Sequence, residues 1–150
     1  MFTTISKMEI APIKNTDYDA LKKLFLNERK STFSWLDTSN YQLKDFNKEI
    51  HGEEVLVASI DNVVIGFISI WMPNNFIHHL YVDKKYHDKG IGTQLLKAAI
   101  EKTKFPITLK CLEDNTKAVA FYRRKGFIEK ERGPSTNGDY ILFELSENIK

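Results

Sequence analysis

The sequence is poor in the features that mark secreted, membrane-spanning or nucleic-acid-binding proteins. Its single cysteine, Cys111, excludes an internal disulfide and a cysteine-rich zinc site. No run approaches the ~20 apolar residues that cross a bilayer, and the first ten residues lack the pattern of a signal peptide. The 22 basic and 20 acidic residues leave a net charge of +2, which indicates no nucleic-acid surface. We therefore expect a cytoplasmic protein that binds neither nucleic acid nor membranes.

Glycine and proline are also sparse, and their positions indicate turns within a domain and not a linker between domains. The seven glycines and four prolines are scattered along the chain without a repeat or a low-complexity tract. A length of 150 residues falls within the range of roughly 100–200 residues that is usual for one domain. We therefore expect residues 1–150 to form a single domain.

The order of apolar patterns predicts a mixed sheet. The spacing of Tyr18, Leu21 and Phe25 predicts a first helix, capped by Asn15 or Thr16, and residues 31–50 predict a loop with a second short helix. Further helices are predicted after the glycines at 90 and 92 and after Asn115. Strands are predicted over 54–59, 63–72, 76–82, 107–112, 127–132 and 140–145. The expected fold is therefore α/β, with a mixed sheet and helices on both of its faces.

Gly90 and Gly92 are the most informative pair of residues. They follow the predicted strand 76–82 and a short basic loop, and they open a predicted helix. Glycine lets the backbone approach a ligand closely, and the unpaired first amides of a helix suit a phosphate or pyrophosphate. The sequence contains no P-loop, and Leu95 occupies the third glycine position of a dinucleotide fingerprint. The alternative is a turn that only begins a helix.

Two segments in this region resemble a known family. Leu80-Tyr81-Val82-Asp83 followed by His87-Asp88-Lys89-Gly90-Ile91-Gly92 is similar to motif A of the GNAT superfamily of acyl-CoA N-acyltransferases, Q/R-x-x-G-x-G/A after a strand. Residues 115–127, with Asn115, Tyr122 and Gly126, resemble its motif B, N-x-x-A-x-x-F-Y-x-x-x-G-F. His87 departs from the pattern, because Gln or Arg is usual there.

The resemblance implies a GNAT-like fold, with a central, mostly antiparallel sheet of about six or seven strands and helices on both faces. It implies an N-acetyltransferase that uses acetyl-CoA to acetylate a primary amine of a small molecule, peptide or protein. Homodimers are common in the family. The alternative is a catalytically weak acyl-CoA-binding or sensor module, which would need neither Tyr122 nor His78.

The resemblance also implies which residues bind acetyl-CoA. Amides of residues 89–93 would hold the pyrophosphate, the backbone of residues 80–82 would pair with the pantetheine as an added strand, and Asn115 would contact the pantetheine. The expected set is Leu80, Tyr81, Val82, His87, Asp88, Lys89, Gly90, Ile91, Gly92, Thr93, Asn115 and Tyr122.

Two side chains are candidates for the proton transfers. Tyr122 matches the tyrosine that often protonates the leaving thiolate in this family; the alternative is a core aromatic, a role that Phe121 fits better because it has no polar group. His78 stands where a carboxylate base is common, and a histidine is a reasonable base near neutral pH. Because neighbouring residues on a strand face opposite sides, only one of His78 and His79 can face a cleft unless a bulge intervenes.

The remaining expectations concern the acceptor and a metal. His79, Glu28, Phe33 and Trp35 are candidate acceptor-binding residues, together with Phe46, because an acidic side chain beside aromatic rings suits a cationic amine. The alternative for each is ordinary packing or surface charge, and a structural role for the histidine pair is equally open. Adjacent histidines also bind metals, but no third ligand cluster is evident in the sequence, so no metal is expected.

Overall fold

The computed structural model describes residues 7–149, which contain a seven-stranded sheet with helices on both faces. The strands are β1 (Met8–Pro12), β2 (Glu54–Ile60), β3 (Val63–Trp71), β4 (Phe76–Val82), β5 (Ile107–Leu112), β6 (Ile128–Gly133) and β7 (Tyr140–Leu145). The helices are α1 (Tyr18–Thr32), α2 (Asp45–Glu49), α3 (Ile91–Lys102) and α4 (Thr116–Arg124). The predicted mixed α/β fold is confirmed.

The sheet is antiparallel at every pairing but one. The strand order is β1-β2-β3-β4-β5-β7-β6, and only β4 and β5 run parallel. A parallel pair needs a crossover, which α3 supplies between these two strands. The end of β4, the start of α3 and the end of β5 therefore lie on one side of the molecule.

The sheet separates two apolar cores. On β2, Val55 and Val57 pack with α1 and α2, while Leu56 and Ala58 pack with α3 and the strands beyond it. This alternation follows from the two-residue period of a strand. Because both faces of β2 and β3 are covered, these strands are almost continuously apolar.

The start of α1 differs from the prediction. Residues 15–17 form a short 3-10 turn, so α1 begins at Tyr18 after Asp17. The Lys14 amide donates a hydrogen bond of 2.8 Å to the Asp17 carboxylate. The predicted caps Asn15 and Thr16 therefore lie inside this turn.

The strand β1 was not predicted. It is five residues long and only its first and third residues are partly buried, so its apolar pattern is weak. It pairs with the outer edge of β2.

No helix within residues 7–149 is long and apolar enough to cross a membrane. Residues 1–6, which fall in the segment expected to lack a signal peptide, lie outside the described part of the chain.

The close approach of β3 to the end of β4 depends on Gly66. A Cβ at this position would lie 2.8 Å from the Tyr81 carbonyl oxygen and 3.3 Å from Val82 Cα. We expect Gly66→Ala to lower the free energy of unfolding by about 1–3 kcal/mol, because backbone atoms of β4 must shift. Urea denaturation measures this change.

The matched control is Gly92→Ala. A Cβ at Gly92 would lie 3.6 Å from the Phe121 ring, an ordinary contact, and alanine is the better helix former. We expect no loss of stability in this variant. A Gly66→Ala protein as stable as the wild type would contradict the close packing of β3 on β4.

Candidate functional site

A cleft opens where β4 and β5 separate. The two strands pair only at Phe76 with Thr108 and at Ile77 with Leu109. From residue 79 to its end β4 pairs with β3 alone, whereas all six residues of β5 pair with β7. The edge of β4 that faces the cleft, including residues 80–82, is therefore free of the sheet. Such an edge accepts an extended ligand as an added strand.

The glycine turn lies at the mouth of this cleft. Gly90 precedes α3 with φ +78°, a left-handed conformation that favours glycine. A Cβ on Gly90 would meet nothing within 4 Å, so its backbone conformation and not crowding explains the residue. The first amides of α3, from Ile91 to Thr93, point out of the helix start, where the helix dipole is positive. This geometry suits an anionic group.

The loop between β4 and α3 is held by His87 and Glu28. The His87 Nε2–H donates to the Val82 carbonyl over 2.7 Å and lies 3.5 Å from Glu28 Oε1. The other Glu28 oxygen accepts a hydrogen bond of 3.3 Å from the Lys84 amide. Burial raises the pKa of Glu28. These contacts tie the loop to α1.

Tyr122 is buried beside the cleft. Its ring packs edge-on against Phe121 and Phe127, with centroids 5.3 and 5.4 Å away, in the apolar cluster that includes Cys111 of β5. The expectation that Phe121 fills the core position is wrong, because Tyr122 is buried and Phe121 only partly so. Burial raises the pKa of the Tyr122 phenol. It raises the pKa of the Cys111 thiol to about 11, so both groups keep their protons near neutral pH.

A bulge in β4 brings both histidines to one place. Ser69 of β3 pairs with His79 and Ile70 pairs with Ile77, so His78 is an extra residue opposite β3. The imidazole rings of His78 and His79 lie 3.8 Å apart at 32°. Strict alternation would have separated them, and the bulge overrides it. His78 is the more accessible, with 35 % of its side chain exposed against 11 % for His79.

Two carboxylates that no pattern in the sequence indicates lie beside this pair. The His78 Nδ1–H donates to Glu53 Oε2 over 2.7 Å, and Glu49 Oε2 lies 3.8 Å from His78 Nε2 and 3.9 Å from His79 Nε2. The hydrogen bond to Glu53 raises the pKa of His78. Burial lowers the pKa of His79 to about 3. One imidazole is thus basic and the other stays neutral.

The family follows from a match that covers most of the chain. Residues 18–127 match the model of the acetyltransferase (GNAT) family. The chain belongs to the GNAT family. This confirms the resemblance of its two motifs.

Individual relatives agree with this assignment. Over 88 residues the chain is 33 % identical to an uncharacterized N-acetyltransferase, MJ1207, of Methanocaldococcus jannaschii; the match covers 50 % of this chain and 39 % of that relative, so the chain spans well under half of its length. The PaiA N-acetyltransferase of Thermoplasma acidophilum, solved with coenzyme A, is 22 % identical with a TM-score of 0.77 over 94 % of this chain and 99 % of that one. YncA of Salmonella typhimurium, solved with acetyl-CoA, is 18 % identical with a TM-score of 0.71 over 93 % of each chain.

In the GNAT fold of this chain, the residues expected at the two motifs lie around the cleft. Leu80, Tyr81 and Val82 form the free edge of β4, and residues 87–93 form the loop and first turn that follow it. Asn115 precedes α4, and its side-chain oxygen accepts a hydrogen bond of 3.4 Å from the Ala118 amide. The carbonyl end of Asn115 therefore caps α4.

Within residues 7–149, no hydrogen bond, ion pair or aromatic pair connects Glu28, Phe46 and the Phe33–Trp35 pair with one another. Glu28 lies beside the glycine loop, and Phe46 is fully buried in the core below α1. Phe33 and Trp35 pack on each other after α1, with centroids 5.6 Å apart. Among the described residues, no hydrogen bond, ion pair or aromatic pair joins these four to the histidine pair. Of the predicted acceptor residues that the structure describes, His79 is the one that lies beside His78. The bulge in β4 brings the two imidazole rings together.

The ionisation of the pair is a direct check on this geometry. In EDTA-treated protein we expect the pKa of His78 to exceed its usual value of 6.5 and His79 to stay neutral down to about pH 3. Glu53→Gln should lower the pKa of His78, because a neutral amide replaces its carboxylate partner. Proton NMR titration of the imidazole rings measures both values.

Glu54→Gln is the control, because Glu54 is the neighbouring carboxylate and pairs with Lys102 at 3.6 Å. It should leave the pKa of His78 unchanged. An equal shift of the His78 pKa in both variants would mean that the overall negative charge nearby, and not the hydrogen bond to Glu53, sets this pKa.

Proposed function

We propose that this protein transfers an acetyl group from acetyl-CoA to a primary amine of a small molecule, peptide or protein, within one domain formed by residues 1–150. The divergence of β4 from β5 carries the proposal. It provides a free strand edge for an extended pantetheine and ends at a helix start suited to a pyrophosphate. Family membership and the two relatives solved with coenzyme A or acetyl-CoA support the choice of donor.

The residues at the helix start fit the anionic part of acetyl-CoA. The amides of Lys89, Gly90, Ile91, Gly92 and Thr93 would bind the pyrophosphate, with His87 and Asp88 shaping the loop before them. Lys84, Lys85 and Lys89 are exposed around this loop, so their charge attracts a polyanion. Leu80, Tyr81 and Val82 would pair with the pantetheine amides, and Asn115 would contact the same arm from α4.

Tyr122 is the proposed general acid. Bound acetyl-CoA supplies a thioester carbonyl, and its thiolate must be protonated as it leaves. A buried phenol whose pKa is raised does not ionise before the reaction, so it holds a proton for the thiolate. The buried Cys111 thiol stays protonated for the same reason and does not compete as a nucleophile.

His78 is the proposed general base. Its Nδ1–H is held by Glu53, which leaves Nε2 free to accept a proton on the side where Glu49 lies 3.8 Å away. The Glu49 carboxylate, with 43 % of its side chain exposed, would attract an acceptor ammonium to that side. Neutral His79 would line the same position.

The protons and bonds balance in this arrangement. The ammonium loses one proton to His78 Nε2, which passes it to solvent, and the free amine forms the C–N bond as the C–S bond breaks. The thiolate takes the Tyr122 proton, and the second amine proton restores the phenol. The products are the acetamide and free coenzyme A thiol, with one proton released.

A first prediction concerns acetyl-CoA binding. Gly90→Val should weaken acetyl-CoA binding about tenfold or more, because valine strains the left-handed position that orients the first amides of α3. Isothermal titration calorimetry measures the affinity. Gly138→Val is the matched control: this glycine also has a left-handed φ of +114° but lies in the β6–β7 loop. Equal affinities in both variants would move the anion site elsewhere.

A second prediction tests catalysis. Acetyl-CoA turnover over a panel of primary amines, read by thiol release, should identify at least one acceptor. With that amine, Tyr122→Phe should lower kcat by roughly 10²–10⁴-fold and leave acetyl-CoA affinity nearly unchanged. Tyr140→Phe, which removes a phenol hydroxyl from β7, should keep wild-type kcat.

The other outcomes assign different roles. A fall in acetyl-CoA affinity with unchanged kcat would make Tyr122 a binding residue. Tight acetyl-CoA binding without turnover of any amine in the panel would favour the sensor module over the enzyme.

A further inference from the structure

Three side chains with metal-binding atoms meet at the bulge in β4. Glu49 of α2 and His78 and His79 of β4 each offer one ligand atom, and these atoms lie within 4.8 Å of one another. The Glu49 oxygen is 3.8 and 3.9 Å from the two Nε2 atoms. No sequence pattern indicates a third ligand for the histidine pair, and the structure provides one from a separate helix.

A fourth side chain fixes the ring of His78. Its Nδ1–H donates to Glu53 Oε2 over 2.7 Å, and only 6 % of the Glu53 side chain is exposed. Donation at Nδ1 leaves the lone pair on Nε2, which faces Glu49. A carboxylate that holds the far nitrogen of a ligating histidine is the usual outer partner in zinc sites.

His79 offers a nitrogen that lacks a partner. Its Nε2 is buried without a hydrogen bond among the described residues, and 89 % of its side chain is shielded, since 11 % is exposed. A buried polar atom without a partner is costly.

We propose that Glu49, His78 and His79 bind one Zn²⁺ ion, with Glu53 positioning His78 and a fourth coordination position open to water. Two imidazoles and one carboxylate form a common zinc set, whereas Ca²⁺ and Mg²⁺ prefer oxygen ligands. Tetrahedral zinc with bonds of ~2.1 Å holds its ligand atoms ~3.4 Å apart. The Glu49 oxygen is therefore about half an ångström farther from each imidazole nitrogen than in such a site, and all three ligand atoms lie within 4.8 Å of one another.

Zinc at this place would compete with acetyl transfer. The ion takes the Nε2 lone pair of His78 that the proposed base uses, and it neutralises the Glu49 charge that would attract the acceptor. Added Zn²⁺ should therefore slow turnover, and EDTA should restore it. This consequence rests on the proposed function, whereas zinc binding itself does not.

The test is a zinc titration of EDTA-treated, dialysed protein against a chromogenic chelator, without acetyl-CoA or amine. The wild type should bind one equivalent of Zn²⁺. Glu49→Gln and His79→Asn should weaken binding about tenfold or more, and Glu53→Gln about 10–100-fold, because it loosens the ring of His78. His87→Asn is the matched control, since His87 lies at the other end of β4, and it should keep wild-type zinc affinity.

Circular dichroism confirms that each variant is folded, and Glu49→Gln is the most secure, because its side chain is exposed. Absence of stoichiometric binding, or unchanged affinity in Glu49→Gln and His79→Asn, would overturn the zinc site. A protein that binds zinc but acetylates no amine would contradict only the proposed function. An active protein that binds no zinc would contradict only this inference.

Discussion

The extra residue at His78 is the constraint on which the rest of the site depends. Pairing between β4 and β5 ends at Ile77, and the bulge against β3 begins at the next residue. Because a bulge bends its strand and increases its twist, β4 leaves β5 at this point. One irregularity therefore opens the cleft and also places two successive imidazoles on the same side.

The two ends of β4 carry opposite kinds of chemistry. The β4–α3 loop offers lysines and free helix amides, which suit an anion. The bulge places two imidazoles beside the carboxylates of Glu49 and Glu53, and this group suits an ammonium or a metal cation. Between them the free edge of β4 is at most five residues long, since two of the seven residues of β4 pair with β5. An extended ligand on this edge would connect an anionic group at the loop to the place where an amine would react.

Burial explains the different ionisation of side chains that are close together. His78 is accessible and hydrogen-bonded to Glu53, which favours its charged form, whereas His79 is enclosed by Phe25, Phe67 and Tyr81 and stays neutral. Tyr122 and Cys111 are buried in the other core and keep their protons. The two cores on either side of the sheet therefore set the acid–base behaviour of the cleft as well as the stability of the fold.

The sequence by itself determined the mixed sheet, the glycine turn before α3, the start of α4 at Asn115 and the family, because strand and helix periodicities and short motifs are local properties. It did not reveal β1, whose pattern is short and weakly apolar. It also predicted acceptor-binding roles for Glu28, Phe33 and Trp35, and these roles stay predictions. Tertiary structure alone decided that Glu49 and Glu53 join His78 and His79, because that meeting needs a helix from before β2 to pack over a bulge in β4. No spacing in the sequence encodes such a contact, since it depends on how β4 bends between its two neighbours.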